Sequence, residues 1–211
     1  MGREVIGYAS RTGTRSTLRV LRQHGWRLLV SATGVQRTEG FRFALDNGAW
    51  TSHQQGVPFD EGLFTSCVER FGADADWVAV PDVVMGGADS LTVSRRWLPW
   101  VLERTRLALI CVQDGMVPAD LADIVSAERV GIFIGGSSAW KDANAPQWGA
   151  FCAARNLYLH VGRVNTARRI RICASVGAHS FDGTGASRFT SHARKVSVWR
   201  LAESQQGGLF A

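Results

Sequence analysis

The chain has 211 residues, a hydrophobic fraction of 45% and a net charge of +6, which suits one globular domain with a full core. No apolar run approaches the length of about 18 residues that a membrane-spanning helix needs. No signal peptide precedes the first strand-like run, so we expect a cytoplasmic protein. Arginine far exceeds lysine, and this basic balance suits an anionic partner such as nucleic acid.

The cysteines are widely separated, and each lies in an apolar segment. Neither a Cys-x-x-Cys nor a Cys-x-Cys spacing occurs, so we expect reduced, buried thiols rather than a disulfide framework or a zinc site. The cysteines are Cys67, Cys111, Cys152 and Cys173. We expect neither a metal nor a redox cofactor.

Eight strand-like segments alternate with mostly helical ones. The predicted strands span residues 4–10, 27–33, 41–46, 77–81, 107–113, 130–134 and 158–162, with an eighth ending at Asp182. The predicted helices span residues 16–24, 58–71, 90–103, 146–155, 166–176 and 187–201, with one more opening at Pro118. The connection between the second and third strands is too short and polar for a full helix.

This alternation predicts an α/β fold with a parallel sheet and right-handed crossovers. A count of eight strands favours closure into a compact (β/α)8 TIM-type barrel, and an open doubly wound sheet is the alternative. We expect a single domain over residues 1–203 and a flexible tail over residues 204–211.

Three of the apolar runs end in an aspartate, namely Asp46, Asp82 and Asp182. Catalytic groups of α/β folds gather at the C-terminal ends of strands, so a closed barrel would bring these carboxylates to one mouth. Taken singly, each aspartate is also explained as a turn or helix-cap residue. Two carboxylates facing each other across a pocket suit glycosidic chemistry with retention, one as nucleophile and the other as acid or base.

Further polar and aromatic residues follow the same strand ends. Gln113 and the amides of Gly135 and Gly136 would read the hydrogen-bonding edge of a planar base, on which Trp50 would stack. His160, close to Arg163, is either part of this site or a satisfied core histidine. Arg168 and Arg169 suit phosphate contacts at a barrel mouth, although such clusters are more often a solvated helix face.

In this setting the chain resembles the tRNA-guanine transglycosylase superfamily, and most of all its reduced DNA-modifying members from phages and bacteria, which insert 7-deazaguanines. Six segments occur in the family's order across residues 43–190. Segment 45–50 is similar to Asp-Ser-Gly-Gly-Phe-Gln, segment 76–82 to the strand that ends in the base-recognising Asp, and segment 112–115 to Val-Gln-Gly-Gly. Segment 134–136 resembles the base-binding Gly-Gly, segment 158–162 resembles Tyr-Leu-Met-Gly-Val-Gly, and segment 180–182 with Arg188 resembles the nucleophile strand Met-Phe-Asp and its following Arg.

The resemblance implies that Asp182 attacks C1′ of a nucleotide and that Asp46 is the general acid or base. The residues that would bind the base are Asp82, Gln113, Gly135, Gly136, Trp50 and His160. The residues that would bind nucleic acid are Arg163, Arg168, Arg169 and Arg188. The implied partners are DNA or tRNA and a free 7-deazaguanine base such as preQ0.

The chain departs from the family's tRNA enzymes, which are longer and carry a Cys-x-Cys-x-x-Cys…His zinc subdomain after the nucleophile strand. Here about 29 residues follow Asp182 and include no such cysteines, which favours a DNA-acting enzyme. The alternatives are a tRNA-acting enzyme, a base-excising N-glycosylase, and a catalytically silent barrel that binds nucleic acid or a partner protein. The presence of both Asp46 and Asp182 argues against the silent barrel, and a homodimer is compatible with each of these functions.

Overall fold

A computed structural model describes residues 4–10, 14–125 and 129–206. Eight parallel strands follow one another around a closed barrel, and the last pairs with the first. The strands are β1 (Ile6–Ser10), β2 (Arg27–Ser31), β3 (Phe43–Asp46), β4 (Val78–Ala79), β5 (Ala108–Val112), β6 (Val130–Ile134), β7 (Leu159–Val161) and β8 (Ser180–Gly183). The predicted barrel is confirmed, and the pairing of Ile6 with Ser180 across the closing seam excludes an open sheet.

The helices follow the strands in the order that a βα barrel requires. They are α1 (Arg15–Gln23), α2 (Ala49–Gln55), α3 (Glu61–Phe71), α4 (Ala88–Leu102), α5 (Ser138–Arg155), α6 (Ala167–Ser175), α7 (Gly185–Arg188) and α8 (Thr190–Gln206). Only turns connect β2 to β3 in the described residues, as predicted. None of the helices in the described part of the chain is long and apolar enough to cross a membrane.

Two helices show where sequence signals were misread. α2 was missed because Asn47-Gly48 is a turn signal. In the structure Gly48 makes that turn with φ +89° and is at the same time the N-cap of the helix. α5 was predicted to begin at Pro146, but it begins at Ser138 and carries the proline inside it. Its true start is marked by Ser137, whose Oγ accepts a hydrogen bond from the Trp140 amide at 3.3 Å.

Other boundaries also differ from the prediction. The segment after β5 forms only a short 3₁₀ helix, Pro118–Leu121. The last predicted helix is two helices, because Phe189 takes an extended conformation with φ −134° and ψ 122°. α8 continues to Gln206 and thus includes the first part of the stretch expected to be a flexible tail. The rest of that stretch, residues 207–211, lies outside the described residues.

The core has two layers, because side chains of a strand alternate between the two faces of the sheet. The outer layer packs the strands against the helices and includes the buried Trp26, Trp148 and Phe181. The inner layer fills the barrel with Tyr8, Leu29, Ala44, Trp77, Ala79, Leu109 and Cys111. Because the barrel is filled, a ligand can enter only at one of its ends.

A charged cluster occupies the N-terminal end of the barrel. Asp76, just before β4, pairs with Arg27 at 2.9 Å and with Arg42 at 2.7 Å. The Tyr8 hydroxyl donates to the same carboxylate at 2.9 Å. These contacts give Asp76 a structural role at the end opposite to the strand ends where the predicted site residues lie.

Candidate active site

A cleft of about 960 Å³ opens at the C-terminal ends of the strands. This volume is at the top of the range of about 300–1,000 Å³ for small-ligand sites, so it is large enough for a nucleotide rather than a base alone. The predicted site residues that line it are Asp46, Trp50, Asp82, Gln113, Gly135, Gly136, Arg163, Asp182 and Arg188. The barrel therefore brings all three strand-end aspartates to one cavity.

Asp182, on β8, is held by two donors that reach the same oxygen. Nε2 of His160 and the backbone amide of Arg163 each lie 3.1 Å from Oδ1. Among the residues that the structure describes, no hydrogen bond reaches Oδ2. The side chain is 8% exposed, so its orientation is fixed while one oxygen is left available for chemistry.

Asp46, the last residue of β3, lies close enough to Asp182 for their charges to interact. Burial, and then the negative charge of Asp182, raise the pKa of Asp46 to about 6. The Ser31 hydroxyl and the Gly48 amide, which is 3.2 Å from Oδ2, partly oppose this rise. A carboxyl group with such a pKa can both give and take a proton near neutral pH.

Asp82 is fixed by two amide side chains. Nδ2 of Asn47 donates to Oδ1 at 2.7 Å, and Nε2 of Gln113 donates to Oδ2. Burial raises the pKa of Asp82 to about 7 although both amides favour the charged form. The carboxyl group is thus poised between a protonated state and an ionised state that could accept hydrogen bonds from a ligand.

The glycine pair at the end of β6 corrects one prediction. The Gly135 amide donates to the Val112 carbonyl at 2.9 Å, and the Gly136 amide donates to Oε1 of Gln113 at 2.8 Å. Neither amide is therefore available to hold a base. This result contradicts the role that the sequence analysis predicted for both amides. Gly135 instead gives room, because a Cβ there would lie 2.6 Å from Nε2 of Gln113.

Arg163 connects the two sides of the cleft. Its guanidinium carbon lies 4.0 Å from the centre of the Trp50 ring, and Nη2 donates to the Gly136 carbonyl. Trp50 lines the cleft, and this cation–π contact covers one face of its ring. A base can therefore stack on Trp50 only on the other face, or on the guanidinium itself.

The remaining predicted residues lie outside the cleft lining. His160 is fully buried beneath Asp182, so it supports the carboxylate rather than contacting a base. Arg168 and Arg169 both pair with Asp142, at 2.6 Å and 3.2 Å. Because their charges are already partnered, they offer less to phosphates than Arg188, which lines the cleft and is exposed.

The sequence-based prediction missed one residue of the cleft lining and one residue next to it. Asn47 follows Asp46 and was not among the predicted site residues, yet its Nδ2 donates to Asp82 and to the Val80 carbonyl, the latter at 2.8 Å. Lys141, on α5, is almost fully buried and donates to the Gly162 carbonyl, beside Arg163. Burial lowers its pKa to about 8. Its only sequence signal is that it is one of two lysines in an arginine-rich chain.

The described residues contain no group of three or more His, Cys, Asp or Glu residues that could hold a metal ion. The four cysteines are buried and not disulfide-bonded. A scan against protein-family models found no match, and a search of curated proteins also found none. Any function assigned to this chain must therefore come from the residues of the cleft.

Proposed function

We propose that this protein is a guanine transglycosylase of the cytoplasm that exchanges guanine in a polynucleotide, DNA rather than tRNA, for a free 7-deazaguanine base such as preQ0. The observation that carries the proposal is that Asp46 and Asp182 share one cleft and that their charges interact there. A retaining base exchange needs such a pair, one carboxylate as nucleophile and one group that transfers a proton.

In the first step Oδ2 of Asp182 attacks C1′, and the bond from C1′ to N9 of guanine breaks. The electrons of that bond pass to the leaving guanine, which takes a proton from Asp46. The products are a covalent ester between Asp182 and the sugar, free guanine and an ionised Asp46. Because Oδ1 accepts the hydrogen bonds from His160 and Arg163, it becomes the carbonyl oxygen of this ester.

In the second step the incoming base gives its N9 proton to Asp46 and attacks C1′. The bond between C1′ and Oδ2 breaks, and Asp182 leaves as a carboxylate. The donors on Oδ1 stabilise the negative charge that returns to Asp182. Two displacements at C1′ retain its configuration.

The group formed by Asp82, Asn47 and Gln113 supports recognition of guanine. The pairing edge of guanine carries hydrogen-bond donors at N1 and at its amino group, and an ionised Asp82 can accept from both. Asn47 and Gln113 hold the carboxylate from behind with their amide groups. A 7-deazaguanine keeps the same edge, so the same residues can accept the outgoing and the incoming base.

Incubation with radiolabelled guanine and separate samples of DNA and tRNA tests the proposal. We expect label to enter DNA and to be displaced by preQ0. Label in tRNA alone would make the protein a tRNA enzyme. Abasic DNA without incorporation would make it a glycosylase. DNA binding without either product would contradict catalysis altogether.

A further inference from the structure

His160 lies inside the barrel between the nucleophile and the filled interior. Its ring centre is 4.5 Å from that of Phe133 and 4.7 Å from that of Trp77, so aromatic side chains fix the plane of the imidazole. Nε2 faces Oδ1 of Asp182 at 3.1 Å, and Nδ1 faces Oγ of Ser180 at 2.8 Å. Both ring nitrogens are therefore engaged, each with a different partner.

The charge state of His160 decides which partner donates. Burial lowers the pKa of His160, although Asp182 opposes this effect, so the imidazole is neutral near pH 7. A neutral imidazole carries one N–H, and the nitrogen that faces a carboxylate must be the donor. Nε2 is thus protonated, and Nδ1 needs a donor on its other side.

Ser180 and Tyr158 supply that donor through a hydrogen-bond chain in which each group donates to the next. The Tyr158 hydroxyl donates to Oγ of Ser180 at 2.8 Å. Burial raises the pKa of Tyr158, so its hydroxyl keeps its proton. Since Oγ already accepts from Tyr158, the Ser180 hydroxyl proton is directed to Nδ1 of His160. The chain then ends on Asp182, with every donor matched to an acceptor.

We propose that Tyr158 and Ser180 are positioning residues of the reaction, which keep His160 as the neutral Nε2–H imidazole beneath Asp182. This inference rests on the proposed function. Neither residue lines the cleft, so both act through His160. If Nδ1 also gained a proton, the positive imidazolium would stabilise the negative charge of Asp182 or transfer a proton to it. The carboxylate would then be a weaker nucleophile at C1′.

Nitrogen NMR of protein labelled with ¹⁵N-histidine tests the direction of this hydrogen-bond chain and does not require enzymatic activity. His160 is the only buried histidine of the five in the chain, and its signal is assigned as the one lost in His160→Gln and as the one slowest to exchange with solvent. We expect one protonated nitrogen, Nε2, and one bare nitrogen, Nδ1, near pH 7. A proton on Nδ1, with or without one on Nε2, would overturn the proposal.

Kinetics of the covalent step supply the second test. Tyr158→Phe and Ser180→Ala should each slow adduct formation roughly fivefold, as the loss of one hydrogen bond predicts, with KM unchanged. Ser197→Ala is the matched control, because Ser197 is equally buried but bonds Trp26 instead. Unchanged adduct rates in both chain variants would overturn the positioning role. Absence of exchange in the wild-type protein would refute the proposed function alone, since the NMR result stands independently.

Discussion

The backbone amide of Arg163 donates a hydrogen bond to Oδ1 of Asp182 at 3.1 Å, from a residue whose φ is +58°. This left-handed conformation costs a non-glycine residue about 1–2 kcal/mol. This conformation occurs where β7 ends, and it directs the amide at the Asp182 carboxylate. Strain of this kind is typical of functional sites.

A comparison of Arg163→Gly with Arg163→Ala separates the effect of the backbone conformation at this residue from the effect of its side chain. Both variants lose the guanidinium that lies over Trp50, but only glycine adopts the positive φ without strain. We therefore expect Arg163→Gly to be more stable than Arg163→Ala by about 1 kcal/mol in urea unfolding. Both should bind the base less tightly than the wild-type protein. Equal stability of the two variants would show that the left-handed conformation is not retained in solution.

Asp182→Ala should abolish both base exchange and the covalent adduct, because no other group in the proposed mechanism can attack C1′. The adduct is detected on a denaturing gel after incubation with DNA in the absence of an incoming base. Asp182→Asn is the control for packing, since it keeps an acceptor for His160 and Arg163 but is not a nucleophile. Normal exchange by either variant would disprove the assignment of Asp182.

Asp46→Asn should slow exchange by about 10²–10⁴-fold, the usual contribution of general acid–base catalysis.

The same variant should also gain stability relative to the wild-type protein as the pH rises. In the wild-type protein the folded state favours the protonated Asp46 side chain. Its contribution to stability is complete below the ordinary pKa of 3.8 and is lost as the pH rises through the folded-state pKa of about 6. Relative to wild type, the unfolding free energy of the variant should therefore increase by about 2 kcal/mol between about pH 4.5 and pH 8.

Asp142→Asn is the control for that pH series, because its stability relative to wild type should stay constant between about pH 4.5 and pH 8. Although partial burial raises the pKa of Asp142, its ion pairs with Arg168 and Arg169 lower it overall. Asp142 therefore titrates at or below its ordinary pKa of 3.8 in both states, so the stability of Asp142→Asn relative to wild type should fall with rising pH only below about pH 4.5. A pH-independent difference between Asp46→Asn and wild type would contradict the raised pKa of Asp46.

Guanine binding should depend on the ionisation of Asp82. The pKa of this buried carboxyl group is about 7, and only its ionised form accepts from both donors of guanine. Affinity measured by calorimetry should therefore fall about tenfold for each pH unit below 7. Asp82→Asn should remove this dependence, whereas Asp46→Asn should leave it in place. Constant affinity between pH 5 and pH 8 would argue against a role of Asp82 in binding the base.

DNA binding should weaken steeply with salt, because each phosphate contact releases counterions. Arg188 lines the cleft and is exposed, whereas Arg168 is held by Asp142 at 2.6 Å. Arg188→Gln should therefore reduce the slope of log K against log salt by about 1, and Arg168→Gln should reduce it less. The reverse ranking would place the nucleic acid on the face of α6 instead.

Local patterns in the sequence were sufficient to predict the closed barrel. Buried strands such as Ala108–Val112 are continuously apolar, and helix starts such as Asp60 carry their own capping side chain. The same local signals failed where two meanings share one motif. Gly48 is both a turn residue and the N-cap of α2, and Pro146 is tolerated inside α5 although proline usually marks a helix start.

The sequence alone was enough to predict that Asp46, Asp82 and Asp182 meet at one end of the barrel, because all parallel strands of a barrel end on the same face. It could not assign the partners of these carboxylates. The contacts of Asp82 with Asn47 and of Asp182 with His160 join residues that are about 20–35 positions apart, and they depend on strand register and side-chain direction. Only the closed barrel decides that His160 lies beneath Asp182 and that the glycine amides are already occupied, because both follow from packing between strands rather than from any local pattern.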